Sequence, residues 1–229
     1  TSYSDGTLTP ALAHDYARNT AKLDVFCLTD HLESVDDAEW LDAREVAFDA
    51  NVDGEFVVFP GLEWTKQWGH LNIYDPKTRH WPEDPQAFYQ AAAEAGVVTK
   101  FNHPGDGAKT HGGLAYSKTG DRTVQLMEVR HQDEQVAFIR ALNNGWHLAP
   151  EGSDDTHDAN WGNVRSWTGI YAPGLTKQNI LDALSKRRCY STLDRNCRMM
   201  YRINDAQPGD IVAEPVQSLD VYVRVSDPD

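Results

Sequence analysis

Short apolar segments rich in β-branched residues alternate with helical segments along most of this chain of 229 residues. This alternation constrains the fold more than any other feature, because repeated strand–helix units build a mainly parallel sheet with helices packed on it. We predict strands at residues 25–28, 56–59, 96–101, 124–129 and 166–171. We predict helices at residues 10–19, 38–49, 85–95, 135–143 and 176–187. For this length, the alternation favours an α/β fold of the TIM-like (β/α) barrel type, in regular or distorted form.

The pattern changes after the last predicted helix. Residues 201–204, 210–213 and 219–225 have the pattern of strands, and Pro-Gly-Asp and Glu-Pro turns separate them without a helical segment. We therefore expect a barrel over residues 1–195 and an antiparallel β-strand appendage over residues 196–229. Because the sequence ends soon after a predicted strand, we expect the appendage to be truncated.

The chain carries a formal net charge of −14. Such an acidic protein lacks the basic face that binding of a nucleic acid duplex requires, whereas its carboxylates suit divalent cations. No apolar run reaches the roughly 18 residues that a membrane span needs. The first residue is Thr1 rather than Met. Either a leader has been removed or the N-terminus is incomplete, and together with the acidic composition this favours an exported protein, periplasmic or secreted.

Clusters of His, Asp and Glu lie at or just after the ends of predicted strands, namely Asp30-His31, Glu63, His103, Glu128 and Asp155-Thr156-His157. In a β/α barrel the carboxyl ends of all strands meet at one mouth, so we expect these side chains to converge. Neutral imidazole and carboxylate bind divalent transition metals, and a carboxylate can bridge two ions. Two ions about 3.5–4 Å apart can share a water and convert it to a hydroxide nucleophile near neutral pH. The clusters therefore predict a metal-dependent hydrolase.

The sequence contains six motifs, namely Thr1-Ser2-Tyr3-Ser4-Asp5-Gly6, Thr29-Asp30-His31, Gly61-Leu62-Glu63, Gly69-His70-Leu71-Asn72, Asn102-His103-Pro104 and Asp155-Thr156-His157. In this order they resemble the motifs of the PHP (polymerase and histidinol phosphatase) superfamily, and the resemblance extends from residue 1 to about residue 195. It implies a distorted seven-stranded β/α barrel that holds two or three divalent ions, with Zn, Mn or Fe compatible. The most similar branch includes phosphoesterases and carbamate or amide hydrolases.

The resemblance also implies a set of metal ligands. They are Asp5, His31, Glu63, His70, His103, Asp155 and His157. Glu63 would bridge the first two ions, and Asp155 would bind the first of them. His70 and His103 would complete the coordination of the second ion.

A third ion would be held by Asp5, His31 and His157, and Asp30 would either support His31, as is more common in the family, or act as a ligand itself. The implied catalytic residues are Glu63, Asp155 and His157. The chain departs from the family in one respect. The His-x-His motif of the family would stand directly before Thr1 and is lacking in this sequence. We expect that it has been omitted rather than lost.

Three residues in loops that follow predicted strands are candidate substrate contacts. The guanidinium of Arg165 would clamp a phosphate or carboxylate through two parallel hydrogen bonds. His111 lies in a Gly-rich loop that we expect to cover the mouth of the barrel. Trp161 offers an aromatic surface for a sugar, a nucleobase or an aryl group, and the alternative is a hydrophobic residue that anchors its loop.

Three further polar residues lie outside these groups. Lys100 is placed in a predicted strand and points either inward, toward substrate anions, or outward, toward a helix. Glu128 either lines the pocket or packs within the barrel. His14 belongs to the first predicted helix, where we expect it on the solvated face.

These observations predict a metal-dependent hydrolase, in the first place a phosphoesterase that uses a metal-bridged hydroxide on a small phosphate ester. One alternative keeps the metal site and cleaves a carbamate, amide or ester. Another alternative, from a different class, is a non-catalytic module that binds metal or glycan. The expected partner is a small-molecule substrate, either anionic or an aryl ester. The sequence identifies neither that substrate nor the native metal nor the oligomeric state.

Overall fold

The architecture comes from a computed structural model of the protein, which describes residues 1–105, 107, 110–163, 166–212, 215 and 217–229. The strands are β1 (Val25–Phe26), β2 (Thr29–His31), β3 (Val57–Val58), β4 (Gly61–Lys66), β5 (Gly69–Tyr74), β6 (Val98–Asn102), β7 (Val124–Glu128), β8 (Ala149–Glu151), β9 (Trp167–Ile170), β10 (Cys189–Thr192), β11 (Arg198–Ile203) and β12 (Val221–Ser226). The helices are α1 (Pro10–Asp15), α2 (Asp37–Ala50), α3 (Pro85–Ala95), α4 (Gln132–Asn143) and α5 (Lys177–Ser185). A π-helical turn, Tyr16–Thr20, continues α1. Short 3₁₀ turns occupy His111–Leu114 and Gly120–Arg122.

The helices lie close to their predicted positions because their ends carry clear local signals. The side chain of Asp84 accepts hydrogen bonds from the first backbone N–H groups of α3, and Pro85 begins that helix. Gly96 ends it in the left-handed region, with φ at 65°. At α2, Asp36 and Glu39 form a reciprocal capping box. Each signal fixes the start or the end of a helix without help from tertiary packing.

The central sheet has six strands in the order β2–β4–β5–β6–β7–β8. The pairs β2–β4, β6–β7 and β7–β8 are parallel, whereas β5 is antiparallel to both of its neighbours. β1 pairs with β3 in parallel, and the pairs Val25–Val57 and Thr29–Gly61 keep the same offset of 32 residues. β1–β2 and β3–β4 are therefore two strands that run side by side and are interrupted together. The α/β class is confirmed, and the sheet is mixed rather than wholly parallel.

The hairpin of β4 and β5 is absent from the sequence-based strand assignment. Only two residues, Gln67 and Trp68, separate these strands. Two-residue hairpin turns usually contain Gly, Asn or Asp, so this connection gives no turn signal. Smaller differences occur elsewhere, since β2 and β8 also lie outside the predicted strands. β10 was not predicted, and the described residues 210–212 of the predicted strand 210–213 form no strand.

Alternation along each strand gives the sheet two different faces. On one face, Leu71 and Phe101 join a buried apolar cluster that includes Phe88 of α3 and Ala137 of α4. On the opposite face, a second apolar cluster packs against α5 near the start of β6. Towards the carboxyl end of β6 the same face turns polar. It lines a cavity of about 1010 Å³, with Glu63, Asn72, Lys100, Asn102, Glu128 and Glu151 in its wall.

The last two strands form a separate antiparallel hairpin. β11 and β12 pair from Arg198–Ser226 to Ile203–Val221. Every residue of β12 is exposed. The hydroxyl of Tyr171 donates to the backbone oxygen of Met199, which connects the segment after β9 to β11. Within the ranges given above, no helix combines the length and the apolar character that crossing a membrane would require.

Candidate metal centre

Glu63, His70 and His103 form a compact group at the polar end of the sheet face that lines the cavity. β4 carries Glu63, β5 carries His70, and His103 directly follows β6. Oε1 of Glu63 lies 3.3 Å from Nδ1 of His70 and 3.4 Å from Nε2 of His103. The donor atoms of the three side chains all lie within 4.8 Å of one another. The predicted convergence of these residues is therefore present in the structure.

Asp5, His31 and His157 form a second group, nearer to solvent. Oδ1 of Asp5 lies 3.4 Å from Nε2 of His31 and 3.3 Å from Nε2 of His157. The two groups are contiguous, because Nδ1 of His31 lies 3.2 Å from Oε2 of Glu63. Each group brings together one carboxylate and two imidazoles, and this is a donor set that Zn, Mn and Fe ions accept.

Asp155 lines the same cavity but belongs to neither group. Its Oδ2 is 3.6 Å from Nδ1 of His103 and 3.7 Å from Nη1 of Arg130. Its backbone is in the left-handed region, with φ at 53°. Two residues later, His157 turns toward Asp5 instead. The Asp-x-His segment thus directs its two side chains to different parts of the site.

The electrostatics of the first group couple Glu63 to its imidazoles. Burial alone would raise the pKa of Glu63, but hydrogen bonds from His103, His70 and Asn102 outweigh it and hold that pKa well below its ordinary value. Burial likewise lowers the pKa of His103, but its hydrogen bonds to Glu128 and Glu63 raise that pKa to about 9. Protons and cations would compete for the same imidazole nitrogens, because a coordinating imidazole must be neutral.

The residues that support the two groups are partly unexpected. Among the described residues, no hydrogen bond or ion pair joins Asp30 to His31. Asp30 accepts hydrogen bonds from the hydroxyls of Thr1 and Ser4, at 2.8 Å in both cases, and so anchors the segment that carries Asp5. Nδ1 of His31 instead faces the hydroxyl of Thr65 at 2.5 Å.

Two amide side chains were missed by the sequence analysis. Asn102 donates to Oε1 of Glu63 at 2.6 Å and to Oδ1 of Asn72 at 2.7 Å. The signal that could have identified them is the two-residue period of a strand. Asn72 lies two residues after His70 on β5, and Asn102 lies on the strand that leads to His103.

The structure bears differently on the three candidate substrate contacts. His111 is only 2% exposed, and its Nε2 lies 3.1 Å from the backbone oxygen of His70. It therefore packs beneath the site, contrary to the expectation of a rim residue. Trp161 is also buried and packs edge-to-face against Tyr16, although it forms part of the cavity wall. Arg165 lies outside the described residues.

The structure resolves the two open interpretations and corrects one. Lys100 points inward, where its ammonium lies 2.9 Å from the hydroxyl of Ser153 and 3.1 Å from Oε2 of Glu151. Glu128 also faces inward and contacts His103. The expectation that His14 is solvated is wrong, because the residue is 4% exposed on the face of α1 that packs on Phe26.

Comparison with known proteins supports the fold. The chain is similar to a two-domain protein of Bacteroides vulgatus described as containing a predicted PHP-like metal-dependent phosphoesterase. The two are 18% identical with a TM-score of 0.66, and the match covers 97% of this chain and 72% of that chain. The chain is also similar to PsfC from Pseudomonas syringae, at 15% identity and a TM-score of 0.59, over 85% of this chain and 88% of that chain. No protein-family profile and no curated protein sequence matches the chain. At these identities the likeness shows a shared PHP-like fold.

Proposed function

We propose that the protein is a metal-dependent phosphoesterase that acts on a small phosphate ester. The observation that carries this proposal is the environment of Glu63. This buried carboxylate has the imidazoles of His31, His70 and His103 at 3.2–3.4 Å. Among the residues that the structure describes, no Lys or Arg lies within ion-pair distance of it. A buried carboxylate needs a compensating charge. A divalent ion that is bound by the carboxylate and the neighbouring imidazoles together would supply it.

The two groups of donors give each residue a role. In this proposal Glu63, His70 and His103 would hold one ion, and Glu63 and Asp155 would hold a neighbouring one. Asp5, His31 and His157 bind a further ion, so that the site takes two or three ions of Zn, Mn or Fe. When bound, such ions lower the pKa of a water molecule and neutralise charge on a phosphoryl oxygen. Glu63, Asp155 and His157 are the proposed catalytic residues.

We also infer that the sheet and the pairs β1–β3 and β9–β10 belong to one distorted barrel over residues 1–195, with residues 196–229 as an appendage. Two contacts support closure of this barrel. Thr168 of β9 donates through its hydroxyl to the backbone oxygen of Gly152, just after β8, at 2.6 Å. Arg195 donates to the backbone oxygen of Lys22, just before β1, at 2.7 Å.

A carbamate, amide or ester hydrolase with the same metal site is the second candidate, and one observation favours it. Two basic side chains near the site are already paired, namely Arg130, which lies beside His103, and Lys100, which lines the cavity. Arg130 contacts Glu128 and Glu134 at 3.0 Å, and Lys100 contacts Glu151 at 3.1 Å. A phosphate dianion would gain most from an unpaired cation, so this arrangement suits a less charged substrate as well.

A metal analysis and a substrate panel test the proposal. We expect the purified protein to bind two or three divalent ions and to hydrolyse aryl phosphates only when Zn, Mn or Fe is present. Cleavage of aryl carbamates or esters, with no cleavage of phosphates, would select the second candidate. Metal binding without turnover of any substrate in the panel would indicate a non-catalytic module. A protein that binds no divalent ion would refute the metal site itself.

A further inference from the structure

Glu128 holds His103 through two separate contacts. It ends β7 and is 1% exposed. Its Oε2 accepts a hydrogen bond from the backbone N–H of His103 at 2.8 Å and lies 2.9 Å from the ring atom Nδ1. His103 has a φ of 49°, which is uncommon for a residue with a side chain. One carboxylate oxygen therefore fixes both the unusual backbone and the ring orientation of this residue.

The neighbours of Nδ1 determine which ring nitrogen of neutral His103 carries the proton. Nδ1 also lies 3.3 Å from Nη2 of Arg130. A guanidinium can only donate and an ionised carboxylate can only accept, so the shorter contact, to Glu128, requires a proton on Nδ1. The neutral ring then has its lone pair on Nε2, the nitrogen whose hydrogen bond to Glu63 exists only while the ring carries a second proton. That atom lies 3.4 Å from Oε1 of Glu63 and faces the candidate ion site.

Fixed charges keep Glu128 ionised and in place. Arg130 Nη2 lies 3.0 Å from its Oε2, and Lys100 Nζ lies 3.6 Å from its Oε1. The hydroxyl of Ser153 donates to Oε1 as well. Lys100 is itself 1% exposed, so these charges are shielded little by water.

We propose that Glu128 is a positioning residue that sets the tautomer and orientation of His103 for metal binding, and that Lys100 and Arg130 hold Glu128 for this task. The inference rests on the proposed function, since it assigns Nε2 of His103 to an ion. Carboxylates that accept the second N–H of a ligating imidazole are known to raise metal affinity, typically about 10–100-fold. Among the described residues, His103 is the one proposed ligand with which Glu128 has a hydrogen bond or ion pair, so Glu128 would act through His103.

Glu151 provides a matched control. It is a second buried carboxylate on the same lysine, with Oε2 3.1 Å from Lys100 Nζ, and it accepts a hydrogen bond from the hydroxyl of Tyr74 at 2.8 Å. In the described part of the chain, Glu151 has no hydrogen bond or ion pair with His103. Glu151→Gln and Glu128→Gln therefore each remove one buried negative charge beside Lys100. Glu151→Gln leaves the contact between Glu128 and the imidazole of His103 intact.

The experiment compares Zn²⁺ and Mn²⁺ titrations of the parent, Glu128→Gln and Glu151→Gln, with circular dichroism to verify the fold. We expect Glu128→Gln to lose roughly 10–100-fold in affinity for one ion equivalent. Glu151→Gln should keep the parental metal affinity, whatever its thermal stability. Parental affinity in folded Glu128→Gln, or an equal loss in both variants, would overturn the inference. A parent that binds no ion would instead refute the proposed function.

A second measurement holds even if Glu128→Gln does not fold. Nitrogen-15 spectra of the histidine rings in the Zn²⁺-loaded parent, assigned with His103→Asn, report which nitrogen of His103 bears hydrogen. We expect a protonated, hydrogen-bonded Nδ1 and a coordinated Nε2. Coordination through Nδ1, or a proton on Nε2, would overturn the proposed role of Glu128.

Discussion

Protonation of His14 offers a quantitative test of how α1 packs on the domain. The residue is 4% exposed, and its ring packs edge-to-face against Phe26 with centroids 5.8 Å apart. Its Nδ1 is buried without a hydrogen-bond partner among the described residues. Burial lowers the pKa of His14 to about 4, although a hydrogen bond to the backbone of Val46 acts in the opposite direction. A proton on this ring would place a poorly compensated charge in the interior.

The size of the effect follows from the two pKa values. In the unfolded chain the imidazole has a pKa of about 6.5, so as the pH falls the unfolded state binds the proton first. The free energy of unfolding is therefore unaffected by His14 above about pH 6.5 and decreases as the pH falls toward the folded value of about 4. At 1.36 kcal/mol per pKa unit, the whole loss is about 3 kcal/mol, and about 2 kcal/mol of it has occurred at about pH 5.

Urea unfolding at about pH 7.5 and about pH 5 measures this loss, in the presence of a chelator so that metal binding does not contribute. We compare the parent with His14→Leu and with His80→Leu, a control at an exposed histidine. The decrease between the two pH values should be smaller by about 2 kcal/mol in His14→Leu than in the parent, and unchanged in His80→Leu. An equal decrease in parent and His14→Leu would show that His14 is not buried in its neutral form.

Three further predictions concern the site and the core. Glu63→Gln should abolish turnover and reduce the bound metal with the circular dichroism spectrum unchanged; near-parental turnover at full metal occupancy would show that Glu63 is not a bridging ligand. Burial lowers the pKa of His103, but hydrogen bonds to Glu128 and Glu63 raise it to about 9. Binding of Zn²⁺ at about pH 7.5 should therefore release about one proton, seen as a binding heat that varies with the ionisation enthalpy of the buffer; a constant heat would contradict this. Phe101→Ala should lower the free energy of unfolding by about 3–5 kcal/mol, against about 0.5 kcal/mol or less for the exposed Phe48→Ala; similar losses in urea unfolding would contradict the placement of Phe101 in the core.

Local chemistry explains which parts of the fold could be predicted. The ends of α3 are marked in the sequence by Asp84, Pro85 and Gly96, and the helix spans the predicted residues. The hairpin of β4 and β5 has no such signal in the sequence. Its turn, at Gln67 and Trp68, lacks the usual turn residues, so the reversal of direction depends on pairing with the neighbouring strands. The mixed direction of the sheet could not be predicted for that reason.

The same distinction applies to the site. Glu63 and His103 could be identified because they lie at or beyond strand ends with ligand-type side chains, and the structure brings them together. Burial of a polar residue is harder to predict, because it depends on neighbours that are remote in sequence. His111 lies in a loop of glycines and looks exposed in the sequence, yet Trp68 and Phe101 enclose its ring. His14 was likewise expected on the solvated face of α1, but its ring packs against Phe26, which is remote in sequence.

Glu63 and Glu128 are two buried carboxylates on the sheet face that lines the cavity, and different kinds of side chain compensate their charge. Burial alone would raise both pKa values, and both are held well below the ordinary range. At Glu128 much of the compensating charge is fixed, on Lys100 and Arg130, and persists at any pH near neutrality. At Glu63 the compensating groups are imidazoles, which lose their charge as they lose protons. An imidazole nitrogen that gives up a proton can act as a metal ligand, so in the proposed function the Glu63 end of this face would gain affinity for an ion as its protons leave. The fixed charges around Glu128 leave no comparable opening, so the proposed cation site at Glu63 lies beside permanent ion pairs that hold Glu128.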